Sequence, residues 1–240
     1  PELAARLKWA FAVALAGAIM LPLTMGQWTP LASFGLLLAL WIATSSLVNL
    51  ASRLKQSPGA GLWARLRMQS RSYYGMLLAH VGVAVFVVGV TMVKSYEAEK
   101  DVRLAVGESV ELGGYTFRFD ALNDIKGPNY VAARGTFSVT QNGAPLTTMY
   151  PEKRIYNVQK NPMTEAAIDT SLLRDVYVSL GEELEGGAWT VRVYHKPLVD
   201  WIWGGAVFMA LGGLLAVLDR RYRLAVRRRA ESTVLAGASA

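Results

Sequence analysis

A chain of 240 residues that is 52% hydrophobic and only 18% charged falls short of the roughly 25% charge usual in a soluble domain. Its apolar residues gather in long blocks, so composition points to a membrane protein. The lack of cysteine excludes a disulfide framework, a thiolate metal site and a cysteine nucleophile, and leaves any redox chemistry to a bound cofactor or a partner. The chain opens at Pro1 with neither an initiator methionine nor a signal-type cleavage site. The expectation is a longer whole whose upstream part lies on the same or a separate polypeptide.

Four stretches reach the roughly 20 apolar residues needed to cross about 30 Å of hydrocarbon: Trp9 to Met25, Leu31 to Leu50, Tyr73 to Val93 and Leu198 to Leu218. Gly26 breaks the first, and Thr29 with Pro30 starts the second as cap and first-turn residue, which predicts an antiparallel hairpin. Arg53, Lys55, Arg65, Arg67 and Arg71 follow the second span without an acid between them, and Arg220, Arg221, Arg223, Arg227, Arg228 and Arg229 follow the fourth. These runs abut apolar spans and lack interleaved aromatics, so they are topology signals for the cytoplasmic side and not a nucleic-acid surface. Residues 94–197 carry 12 bases and 14 acids, a net −2, so the rest of the chain carries +9 and the total is +7. Trp9, Tyr73, Tyr74 and Trp28 are read as interfacial anchors. Trp201 and Trp203 are read the same way, with a flat cofactor at the helix entrance left open.

From Val102 to Tyr194 the pattern changes to alternation, the mark of half-buried strands. Val110 and Leu112 lead through Gly113 and Gly114 to Tyr115, Phe117 and Phe119. Phe137 and Val139 lead to Asn142 and Gly143, and Val176, Val178 and Leu180 precede Gly186, Gly187, Trp189, Val191 and Val193. Three such turns predict an antiparallel meander closed into a sandwich or small barrel. Lys153, Arg154 and Lys160 are read as solvated surface, with a carboxylate of a ligand or partner as the competing role. No Ser-His-Asp grouping, phosphate-binding glycine loop or paired carboxylates stand out, and the catalytic residues are unknown.

The expected fold is thus an integral membrane α-helical protein with four transmembrane helices and one inserted extracytoplasmic all-β domain. Residues 1–95 hold three helices and a basic cytoplasmic loop at 51–72. Residues 96–195 form a periplasmic β-domain, 196–220 the fourth helix and 221–240 a basic cytoplasmic tail.

His80 lies mid-span with no other ionisable neighbour. An intramembrane histidine is a functional hypothesis by default: a metal or haem ligand, a proton relay, or a helix-to-helix hydrogen bond. Gly75, Gly82 and Gly89 recur every seven residues and allow close approach of another helix or of a flat ring. At about 1.5 Å rise per residue His80 sits roughly 20 Å below the outer end of its helix, whereas His195 precedes the outer end of the last span. The two therefore cannot share one iron, and His195 is read as an interfacial hydrogen-bonding residue.

The stretches Ser72 to Ala84 (SYYGMLLAHVGVA), Asn161 to Ile168 (NPMTEAAI), Leu173 to Val178 (LRDVYV), and Pro197 to Arg223 with Trp201, Trp203 and Ala210 to Ala216 (ALGGLLA) resemble, in this order, the C-terminal part of the cytochrome c maturation haem lyase family, the CcmF, CycK and NrfE proteins. The resemblance covers nearly the whole chain. It implies a multi-pass protein of the bacterial inner membrane that handles haem at the periplasmic face for covalent attachment to the thiols of apocytochrome c. It also implies a b-type haem held by two transmembrane histidines, of which His80 matches one and the other comes from outside this chain. The implied partners are the upstream half of the lyase, a periplasmic haem carrier, apocytochrome c with its thiol-handling subunit, and membrane lipid. The isolated chain is expected to be inactive. Rival readings are a non-enzymatic haem conduit or scaffold, and a membrane-anchored sensor whose β-domain binds a ligand.

Overall fold

A computed structural model describes residues 2–25, 27–55, 61–158 and 160–219. Gly26, residues 56–60 of the basic loop and the arginine-rich tail from Arg220 onward lie outside the described residues. Two compact units emerge: one made of the chain up to Thr91 together with the segment from Trp201, the other running from Met92 to Asp200.

The first unit is helical. Helices α1 (Glu2–Thr24), α2 (Pro30–Lys55), α3 (Leu62–Arg67), α4 (Arg71–Tyr96) and α5 (Val199–Val217) occur in that order, and all but α3 are long and apolar enough to cross a membrane. In lipid, apolar side chains gain little by leaving one apolar medium for another, so small residues that let backbones approach carry the packing. Ala10, Ala14 and Ala18, four apart on α1, are buried, as are Ala32, Gly35, Leu36 and Ala39 on α2. The Thr44 hydroxyl donates to Leu40 O in its own helix (2.6 Å) and lies 3.2 Å from Ala10 O on the facing one. Thr29 Oγ1 accepts from the Ala32 N–H at 3.1 Å, the cap expected ahead of Pro30.

Helices α4 and α5 meet through glycine. A methyl group on Gly75 would lie 2.5 Å from Gly212 O, on Gly82 2.7 Å from Met209 N, and on Gly205 2.5 Å from Phe86 N. The seven-residue stripe on α4 is therefore filled by another helix, which settles the choice left open in the sequence and removes that stripe as a platform for a flat ring. At the far end of α5, Asp219 is buried and its Oδ2 accepts from the Ser72 N–H at 2.9 Å, placing a carboxylate at the start of α4, where the helix leaves N–H groups unpaired.

The second unit is a sandwich of antiparallel sheets. Among the described residues it contains ten strands: β1 (Ala98–Leu104), β2 (Ser109–Leu112), β3 (Tyr115–Lys126), β4 (Tyr130–Gln141), β5 (Ala144–Met149), β6 (Glu152–Tyr156), β7 (Pro162–Glu165), β8 (Ala167–Thr170), β9 (Arg174–Glu183) and β10 (Trp189–Pro197). One sheet has the order β1-β10-β9-β8, the other β2-β3-β4-β6-β7 with β5 on β4. The alternating residues named above supply the core: Phe117, Phe119, Phe137, Val176, Val178, Leu180, Val191 and Val193 are fully buried, and the rings of Phe119 and Phe137 stack at 4.6 Å. Asn142 (φ 50°) and Gly143 (φ 81°) both take the left-handed backbone that a two-residue hairpin turn requires. The arrangement is not the plain meander of the sequence reading, because β1 pairs with β10 across the length of the domain, Ala98 opposite His195.

Lys153 and Arg154 do not form an open basic patch. Arg154 and Arg134 both donate to the buried Glu152 at 2.7 Å, and Lys153 pairs with Glu182 at 3.0 Å. Burial pushes the Glu152 carboxyl up, but hydrogen bonds from the two guanidiniums outweigh it and hold the group below the usual carboxylate range.

Candidate functional site

His80 is placed by what the rest of α4 does. With 3.6 residues per turn, His80 stands roughly 140–160° around the helix from Gly75 and Gly82, so the helix that clasps α5 on one side presents the imidazole on the other. The residue is exposed. Its Nδ1 lies 2.8 Å from Met76 O, one turn back. A carbonyl can only accept, so Nδ1 carries the proton, and in an uncharged ring the lone pair is then on Nε2. A hydrogen bond from one ring nitrogen that fixes the tautomer and frees the other is the usual support of a metal-ligating histidine.

Beside His80 runs a groove of about 320 Å³ walled by α1, α2 and α4. Met76, Leu77 and Val48 supply apolar wall, while Ser45, Ser46 and Asn49 supply a polar side. Two turns from His80 on the same helix face, Tyr73 donates its hydroxyl to Asn49 Oδ1 at 3.0 Å, and the Arg53 guanidinium lies 4.3 Å from the centre of the Tyr73 ring. The groove thus has a nitrogen donor at one end and a hydroxyl, an amide and a cation at the other. Among the described residues no three His, Asp or Glu side chains converge as a metal cluster.

His195 is engaged elsewhere. It sits on β10 with its ring stacked on Tyr115 of the opposite sheet at 5.4 Å, against the Gly113 turn, and Arg174 lies 5.5 Å over the Tyr115 ring. Burial, and then the positive charge of Arg174, lowers its pKa. It forms a joint between the two sheets through ring stacking. Trp203 is 69% exposed on α5 and Trp201 is half-buried. Sequence reasoning missed the Tyr73, Asn49 and Arg53 cluster. A signal was present, since Asn49 is a polar residue inside an apolar span and Tyr73 lies seven residues from His80.

Fold and site together define a class: a helical membrane protein with a β-sandwich inserted ahead of its last span and a lone histidine within a span. Residues 95–197 match the family described as the CcmF C-terminal beta-sandwich. The cytochrome c-type biogenesis protein CcmF of Pseudomonas aeruginosa is 46% identical over 215 residues, 89% of this chain and 32% of that protein, and its Escherichia coli K12 counterpart is 46% identical over 189 residues, 79% and 28%. A solved structure of a cytochrome c heme lyase CcmF superposes with a TM-score of 0.70 at 22% identity, over 88% of this chain and 34% of that one, which establishes a shared fold. This chain belongs to the CcmF family and corresponds to its C-terminal part. It spans about a third of the length of the curated relatives it matches.

Proposed function

We propose that this chain is the portion of a cytochrome c haem lyase that supplies one axial ligand, His80, to a b-type haem within the membrane. The second strong ligand comes from helices outside this chain. The observation that carries the reading is the Nδ1 bond to Met76 O on an exposed histidine that borders the groove, which leaves Nε2 as the nitrogen available to a ligand. The groove fits the same group: its apolar wall suits a porphyrin edge, and Arg53, Tyr73 and Asn49 suit its carboxylates. When bound, the haem supplies a redox-active iron whose potential its axial ligands set. The chain's own residues do the holding. His80 ligates, Met76 O fixes the ring, and the glycine seam to α5 fixes the rotation of α4.

In this reading the bases at 51–72 lie in the cytoplasm and the sandwich faces the periplasm of a bacterial inner membrane. There it docks the haem carrier, apocytochrome c and the thiol-handling subunit, while haem itself is the transferred substrate. No catalytic base or nucleophile is assigned to this chain.

The test uses the full-length parent protein. His80→Ala should abolish the low-spin b-type absorption spectrum and thioether formation with little change in protein level, and an unchanged spectrum would overturn the assignment. Topology is checked separately with a cysteine introduced at Glu185, which should react with a membrane-impermeant thiol reagent in intact cells, whereas one at Arg67 should stay protected.

A further inference from the structure

The β8–β9 hairpin ends in a tight turn that presents two large apolar side chains. Thr170 pairs with Asp175, and the loop closes from Ser171 to Arg174 through backbone bonds in both directions at 2.9 and 3.3 Å. Its central residues are Leu172 and Leu173. Neither central residue takes the left-handed backbone that would call for glycine or asparagine, and the two leucines stand 74% and 68% exposed at the tip. The tip is held firmly. Arg174, its side chain only 13% exposed, donates to Asp169 O at 2.9 Å and pairs with the Asp169 carboxylate, and the Ser171 hydroxyl is bonded to the Arg174 backbone.

The position of this tip is fixed by a second feature. Leu173 O accepts from the Leu198 N–H at 3.0 Å, and Leu198 does so in the left-handed region, φ 55°, uncommon and costly for a residue with a branched side chain. The next residue begins α5. That helix has 19 residues, about 28 Å at 1.5 Å each, which is close to the full hydrocarbon thickness. It has no length to spare, so its first turn must lie at the membrane boundary. A backbone hydrogen bond ties Leu173 to the residue that leads into that turn.

We propose that the Leu172–Leu173 tip inserts into the lipid interface beside α5, making the sandwich a second, side-chain-mediated point of membrane attachment. The occupant is lipid, because the tip is bonded through Leu173 O to Leu198, the residue that leads directly into a membrane-spanning helix. The inference does not rest on the haem reading.

The chain has no cysteine, so the full-length protein, with any other cysteines replaced, takes single environment-sensitive fluorophores in nanodiscs containing a shallow spin-labelled phospholipid. Probes are placed at Leu172→Cys and, separately, Leu173→Cys. Trp203→Cys on α5 serves as the depth reference, and Glu185→Cys serves as the aqueous reference, at the other end of the β9–β10 ladder and about 30 Å away at 3.3 Å per residue. The expected result is quenching at 172 or 173 within about twofold of that at 203. Quenching at both tip positions no greater than at 185 overturns the proposal. A blue-shifted probe without lipid quenching also overturns it, and assigns the tip to a protein partner.

Discussion

The helices and the sandwich bury their interiors by opposite means. The sandwich hides phenylalanine, valine and leucine from water and closes on itself, with Phe117, Phe119 and Phe137 fully buried. The helices bring alanine and glycine together and keep their large side chains outside, so that only 11–28% of each span's apolar stretch is buried within the chain. A self-contained core can fold on hydrophobic burial alone. A helix seam in lipid depends on backbones meeting, and it leaves whole faces for lipid, cofactor or further protein. His80 is on such a face.

The sharpest way to break this comparison is to enlarge one seam residue. Gly82→Leu places a side chain where a methyl group is already 2.7–2.8 Å from the α5 backbone, and because a helix backbone cannot give way as a side chain can, it should reduce membrane accumulation at least tenfold. Gly204→Leu and Gly213→Leu, with nothing within 4 Å, should accumulate like the parent. Quantitative blotting of membranes reads all three. Equal losses would refute the seam.

Truncating the other kind of core should cost about 3–5 kcal/mol. Phe137→Ala is expected to open the sandwich to pulse proteolysis while leaving the haem spectrum intact. A lost spectrum would mean that the two regions do not bury their interiors independently.

A smaller, pH-dependent effect isolates the joint between sheets. His195 has its pKa lowered in the folded chain, so the unfolded chain binds the proton more readily. The sandwich should keep full stability above pH about 6.5 and lose it progressively as pH falls below that value toward the depressed one. His195→Phe, which retains a ring against Tyr115, should flatten the dependence in a proteolysis-against-pH series. The smallest expected effect on the fold is that of His80→Ala, about 0.6 kcal/mol if only a membrane hydrogen bond of average strength is lost, measured as detergent thermostability of the haem-free protein.

Much of this was legible in the sequence because it is local. Long apolar runs declared the spans, and the two-residue alternation around Phe117, Val139 and Val178 with glycine turns declared three hairpins. Strands such as β1, β6 and β8 were not legible, since their pairing partners are remote or their alternation is broken by charges that find partners only in the fold, as Lys153 finds Glu182. The short helix α3 in the basic loop was missed for its length. For the site, His80 was conspicuous as an isolated polar residue in lipid, but the direction it faces depends on which side α5 occupies, and the Asp219 cap joins residues 147 apart. Distance along the chain, more than chemistry, set the limit.

The pairing of β1 with β10 has a consequence for how this protein is built. The first and last strands of the sandwich are hydrogen-bonded neighbours, Ala98 opposite His195, so the roughly hundred residues between α4 and α5 begin and finish about 5 Å apart. They form a cassette. A bridge of about four to six residues joining Tyr96 to Leu198 should delete the domain and still leave the α4–α5 clasp and its histidine in register, and the same two ends should accept a foreign domain whose termini adjoin. The membrane portion and the sandwich are thereby free to be exchanged separately, with Leu172 and Leu173 travelling with the cassette and His80 staying behind.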